Sequence, residues 1–261
     1  MLSTRSWVYL DLEKTGCTFL RKALQSLHPA NAFVEIGKHS LMANDCSLPK
    51  ILTIRDPYLY YFSLWSYGIT GRGGFRAYLQ NEMPGLAYEI YSEKQPANFC
   101  KFLDYALNSP VRYPNYLRCD WLPFGFDLYS TRILSMIVPV SLRGRFTSSL
   151  GADCITPKKV IECASPFVPE ILIRTENLNS DFHGLADNGA LDFMQLPLRW
   201  KEVFPLNSPK VNASNLDSEN KASSITDFWL AGWKALVKEK SALSLWMLNL
   251  ASSRLVESAN S

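Results

Sequence analysis

Long apolar runs are missing from the start of this sequence. The N-terminal stretch MLSTRSWVYLDLEKTG reaches Asp11 and Glu13 before any hydrophobic segment long enough for a secretory signal or a membrane span, so neither is placed there. A soluble, cytoplasmic protein without a transmembrane segment is the expectation. Strong charge of one sign is also missing: 27 Lys and Arg stand against 24 Asp and Glu, a net charge of +3, far from the basic excess of a nucleic-acid binder. A local anion site fits better. The six cysteines (Cys17, Cys46, Cys100, Cys119, Cys154 and Cys163) form no CxxC pair and have no histidine at ligand spacing, which argues against a zinc site. They read as reduced thiols. Histidine itself is scarce, with only His28, His39 and His183. The GxxxxGK[ST] pattern of a nucleoside triphosphatase is absent, which disfavours a standard ATP or GTP site. No repeat, low-complexity tract or heptad pattern is apparent, so the oligomeric state is not assigned. Asn212 to Ser214 spell a glycosylation acceptor that, without a secretory signal, reads as unmodified.

What the sequence does contain is enough apolar material, 47% of 261 residues, to bury one substantial core, and a single domain over 1–261 is expected. The run WVYLDL from Trp7 to Leu12 reads as a strand covered on both faces. EKTGC breaks it, and Leu20, Ala23, Leu24 and Leu27 then recur at helical spacing up to His28 and Pro29. AFVEI, ending at Ile36, and ILTI, from Ile51 to Ile54, are short enough for the interior of a parallel sheet. A helix with Pro57 in its first turn should end at Gly68, followed by the loop GITGRGG; Phe99, Phe102, Leu103 and Ala106 mark another helix. Between Pro110 and Thr156 the prolines and aromatics suggest irregular structure around a cleft. EILI, from Glu170 to Ile173, reads as a strand followed by the polar turn RTENLNSDF. A surface loop over 207–224 and closing helices over 225–256, marked by Ile225, Phe228, Trp229 and Leu236, complete the pattern. Strands alternating with helices argue an α/β fold.

Two stretches carry chemistry. In the first, a strand feeds a helix through EKTGCT, which aims backbone N–H groups and the positive end of a helix at one point. Lys14 adds a full charge, Thr15 and Thr18 offer hydroxyls, and Gly16 permits close approach of a phosphate. In the second, Arg55 of RDP follows a strand directly, and Ser63 lies eight positions on, which together suit a second phosphate. The bland readings are an ordinary βα turn and an Arg55 paired with Asp56 or another carboxylate.

Together the two stretches resemble the paired signatures of the sulfotransferases that use 3′-phosphoadenosine 5′-phosphosulfate (PAPS). LEKTGCTFL, from Leu12 to Leu20, is similar to that family's 5′-phosphosulfate loop, often written PKTGGT; Arg55 and Ser63 are similar to its 3′-phosphate motif. Their order and their separation of roughly forty residues suit the carbohydrate-type and bacterial branch. VPEILIRTENL, from Val168 to Leu178, and PKVNAS, from Pro209 to Ser214, are weaker likenesses. The sequence departs from the pattern at Glu13, where relatives carry proline, and at Cys17, the second glycine of the pair. Glu13 would place a negative charge beside an anionic ligand unless it turns away.

The resemblance implies a three-layer sandwich with a central parallel sheet, a P-loop NTPase-like sulfotransferase fold. It implies PAPS as donor, bound by Lys14, Thr15, Gly16, Cys17, Thr18, Phe19, Arg55 and Ser63, with adenosine 3′,5′-bisphosphate as product and no metal. The acceptor would be a hydroxyl on a glycan or glycolipid. Lys14 would stabilise the bridging oxygen that gains charge, and His39, in GKHSLMAND, would take the acceptor's proton. Glu13 is the competing base; Glu176 is expected to orient the turn after its strand, and His28 and His183 have no assigned role. Trp65, Tyr67 and Trp121 are candidates to stack on sugar rings. Two rival readings stay open: a P-loop-like small-molecule kinase, for which magnesium would be needed, and a catalytically silent nucleotide-binding module.

Overall fold

A computed structural model describes residues 1–35, 37–108, 121–122, 126–151, 156–206, 237 and 241–259. Five strands, β1 (Leu2–Thr4), β2 (Val8–Leu10), β3 (Phe33–Glu35), β4 (Lys50–Ile54) and β5 (Ile171–Arg174), form one sheet in the order β3-β1-β2-β4-β5. β2, β4 and β5 are parallel neighbours. β1 runs antiparallel to both β2 and β3, so β3 points the same way as β2 and β1 is the one reversed strand. The sheet is therefore mixed, and the expectation of a parallel sheet is corrected at β1, a three-residue strand too short to register as apolar periodicity. The predicted AFVEI strand is real at Phe33–Glu35, but it lies at the sheet edge, with Val34 exposed.

The helices among the described residues are α1 (Cys17–Leu27), α2 (Pro57–Ile69), α3 (Gly74–Glu82), α4 (Pro84–Tyr91), α5 (Pro96–Asn108), α6 (Leu128–Ile137), α7 (Arg143–Leu150), α8 (Pro157–Ala164), α9 (Leu178–Asp187), α10 (Trp200–Val203) and α11 (Ala242–Ala259). None is long and apolar enough to cross a membrane. Pleating sends alternate strand residues to opposite faces. Tyr9, Ile51, Ile171 and Ile173 join Leu20, Leu24 and Leu27 of α1 and Phe182 of α9 in one core, while Val8, Leu10, Leu52, Ile54 and Leu172 join residues of α2 to α8 and α11 in the other. Helices thus cover both faces of the sheet in an α/β arrangement of three layers. Leu20 and Leu24 are fully enclosed, and each such side chain contributes ~1.5–3 kcal/mol relative to exposure.

The turn expected at RTENLNSDF is a short 3-10 segment, Thr175–Asn177, that leads straight into α9. The irregular region expected between Pro110 and Thr156 contains instead α6 and α7, and every residue of α6 is buried. A helix enclosed on all sides shows no amphipathic stripe, which is why it escapes a periodicity argument. The four described cysteines, Cys17, Cys46, Cys100 and Cys163, are free thiols. PKVNAS at 209–214, the loop over 207–224 and the start of the closing helices lie outside the described residues; α11 is the part of that helical region that is described.

Candidate anion site at the strand ends

From β2 the chain leaves toward β3, and from β4 it leaves toward β5, so the connections diverge between these two adjacent strands. In open α/β sheets that divergence opens a crevice beyond the carboxyl ends of the strands. Here the crevice is bounded by the loop after β2 (Asp11–Gly16), the segment after β3 carrying Lys38 and His39, Arg55 after β4, and Glu176 after β5.

The loop after β2 alternates between residues that turn inward and residues that turn outward. Glu13 and Thr15 are buried; Lys14 and Gly16 between and after them adopt positive φ, 62° and 72°. Thr15 donates its hydroxyl hydrogen to the Leu12 carbonyl (2.8 Å) and so accepts from Thr53 on β4 (2.7 Å), which in turn accepts from Tyr9 (3.0 Å). The Thr15 hydroxyl is therefore committed to the interior, and the residue as a whole is fully buried, so the structure withdraws Thr15 from the expected ligand-binding set. Gly16 is the N-cap of α1 and brings no side chain to satisfy the first helical N–H groups. The Phe19 N–H bonds the Gly16 carbonyl (3.0 Å) and its ring packs edge-on against Phe204, so Phe19 belongs to the helix's own first turn and to the core beneath. The N–H groups of Cys17 and Thr18 are the ones at the tip.

The two departures from the family pattern have physical explanations. Cys17 buries its side chain in the core under α1, and this burial pushes its thiol up to about 11, so it stays neutral. Glu13 turns away from the crevice and into the protein, where Arg132 of α6, itself fully enclosed, grips it with two bonds of 2.7 and 2.8 Å; the Tyr60 hydroxyl adds a third at 3.4 Å. Burial alone would raise this carboxyl, but Arg132 outweighs it and holds Glu13 below its ordinary value. A carboxylate so gripped is a poor base.

Lys14 stands with Nζ 3.6 Å from the centre of the Tyr67 ring. Burial lowers its amine to about 8, and the nearby Arg55 and Lys38 push the same way, against the Glu13 carboxylate. Arg55 donates from Nη1 to the Lys14 carbonyl (3.1 Å), and its Nε lies 3.6 Å from Glu176 Oε1. Tyr129, stacked on Tyr60 at 3.8 Å, accepts from the Arg55 N–H (2.8 Å) and donates to the Arg55 carbonyl (3.1 Å). Asp56 is not the partner of Arg55: it caps α2 by accepting from the Leu59 N–H (3.0 Å). Glu176 accepts the Asp56 N–H (3.3 Å), and Thr175 ties to the Ile54 carbonyl (2.9 Å), so this turn orients the end of β4. Ser63 is half-buried on α2, at helical spacing from both Tyr60 and Tyr67.

His39 also has positive φ, 54°; among the described residues Lys14 and His39 are two of the three non-glycine residues in that region, and such strain costs about 1–3 kcal/mol each. Buried Asp11 holds it twice. The Asp11 carboxylate accepts the His39 N–H (2.8 Å) as well as Arg21 (2.8 Å), and the Asp11 carbonyl accepts from the His39 ring at Nδ1. A carbonyl can only accept, so Nδ1 carries a proton, and in the neutral form of the ring this tautomer leaves Nε2 bare.

Lys38 is the residue that motif reading passes over: its Nζ lies 3.3 Å from the Thr18 hydroxyl at the tip of α1, and its only sequence signal is adjacency to His39. Arg132 is a second, signalled by a lone cation inside the apolar run LYSTRILSMI, where a buried charge requires a partner. Two sugar-stacking candidates are corrected. Trp65 is buried and donates to the Ile90 carbonyl (3.0 Å), and Trp121 is packed against Phe146 and Arg143; Tyr67 alone of the three is well exposed. His183 bonds the Phe204 carbonyl, and His28 ends α1 among Trp7 and Phe33. No known protein-family model, curated protein or solved structure matches this chain.

Proposed function

We propose that this chain is a sulfotransferase that transfers the sulfuryl group of PAPS to an acceptor hydroxyl on a carbohydrate or glycolipid. The observation that carries the reading is the meeting of three cations, Lys14, Lys38 and Arg55, with the uncapped amino end of α1 at one strand-end crevice. Helix N–H groups and converging cations are the chemistry of a multiply anionic ligand. Two separate anchoring points, the α1 tip and Arg55 with Ser63, suit a ligand with phosphates at both ends of a nucleoside.

PAPS supplies an activated sulfuryl group on a phosphate that leaves as adenosine 3′,5′-bisphosphate. Cys17 and Thr18 N–H groups with the Thr18 hydroxyl hold the 5′-phosphate end, and Arg55 with Ser63 holds the 3′-phosphate. Lys14 carries the positive charge that meets growing negative charge, preorganised by a loop pinned on both sides. His39 Nε2 accepts the proton of the attacking hydroxyl, while Asp11 keeps the ring in the tautomer that can do so. The test is thermal unfolding with and without adenosine 3′,5′-bisphosphate, 5′-AMP and ATP, each with and without magnesium. The reading predicts magnesium-independent stabilisation by the bisphosphate alone; magnesium-dependent stabilisation by ATP would point to a kinase instead.

A further inference from the structure

We infer that Arg132, sealed inside α6, is a positioning residue for Lys14: by gripping Glu13 it sets the path of the loop that presents the amine and keeps a carboxylate from competing with the bound anion. The inference deepens the sulfotransferase reading and rests on it for the identity of the ligand.

The pair joins residues 119 positions apart, with no solvent exposure at Arg132 and both carboxylate oxygens engaged. A fully desolvated ion pair is seldom more stabilising than apolar residues of the same volume, so stability alone does not account for it. What the fork does supply is geometry, because a guanidinium holds a carboxylate in one plane and one direction. Lys14 sits between Glu13, fixed to α6, and Thr15, fixed to β4 through Thr53, and adopts its positive φ between those two anchors. Release of Glu13 removes one anchor and frees a carboxylate next in the chain to the amine. That carboxylate would turn to Lys14, already faced by Cys17, Arg55 and Lys38, and neutralise it where an anion should bind.

Three variants separate this from a merely structural role: Arg132→Gln, Glu13→Gln and the double variant, in which two neutral amides replace the pair. The first readout is the pH midpoint of acylation of the Lys14 amine, followed by mass spectrometry on the full chain. The midpoint should rise by about one unit in Arg132→Gln, because the freed carboxylate favours the ammonium, and return to the level of Glu13→Gln in the double variant. The second readout is the affinity for adenosine 3′,5′-bisphosphate, which should fall about tenfold or more in Arg132→Gln and recover to within about threefold in the double variant. A folded Arg132→Gln chain with wild-type midpoint and affinity would overturn the inference, as would a double variant no better than the single. Should Arg132→Gln fail to fold, Arg132→Lys, which keeps the charge and loses the fork, is read in its place with the same expected directions. A wild-type chain that ignores the bisphosphate overturns the sulfotransferase reading instead, since the Lys14 midpoint still reports whether Arg132 acts on it.

Discussion

The hydroxyl of Thr53, the penultimate residue of β4, lies 2.7 Å from that of Thr15 in the loop after β2, and the two form a directed chain from Tyr9 to the Leu12 carbonyl. All three side chains are buried, so no water can take over a missing partner. Thr53→Val keeps the shape and removes both links. The expected loss is about 1–3 kcal/mol of folding stability, measured by urea unfolding, because the Tyr9 hydroxyl is left without its acceptor. An unchanged unfolding midpoint would show that the chain of hydroxyls does not hold the loop.

Lys14 predicts opposite pH trends for stability and binding. Its amine releases a proton near 8 in the folded protein, below its ordinary value near 10.5, so between those values the unfolded chain holds more protons. This group therefore makes the folded state relatively more stable as pH rises from about 8 to about 10.5, whereas the same rise strips the charge that attracts an anion. Against Lys14→Met as reference, wild-type unfolding temperature should climb across that window and affinity for adenosine 3′,5′-bisphosphate should fall. Parallel pH curves for the two proteins would contradict the placement of Lys14.

For His39 the geometry predicts a tautomer. Nitrogen NMR of the neutral ring should find the proton on Nδ1, donated to the Asp11 carbonyl, with Nε2 unprotonated. His39→Asn retains a donor near the Nδ1 position but has no base, so nucleotide affinity should hold within about threefold while transfer to an acceptor hydroxyl falls on the order of 10²–10⁴-fold. Transfer at the wild-type rate would remove His39 from the chemistry.

Much of this candidate site is legible in the sequence because the pieces that meet at the crevice are local. The strand-turn-helix through Lys14, Gly16 and Thr18 and the strand end at Arg55 each sit within about a dozen residues, where periodicity and turn chemistry speak directly. What supports those pieces is not local. Arg132 reaches Glu13 from 119 positions away, Tyr129 clasps the Arg55 backbone from 74, and neither pairing leaves a pattern in a window of the chain. β1 is hidden for another reason: three residues give too little alternation to mark a strand, and its antiparallel pairing is decided by the sheet around it. The inward turn of Glu13 and Cys17 is likewise tertiary and leaves no trace in the local sequence.

The most direct measurement is calorimetric titration of the purified chain, without metal, with adenosine 3′,5′-bisphosphate, 5′-AMP and ATP, for wild type and Arg55→Ala. The account predicts micromolar binding that requires the 3′-phosphate and weakens at least about a hundredfold, some 2.7 kcal/mol, in the variant. Equal affinity for 5′-AMP, or no binding of the bisphosphate to wild type, would contradict it.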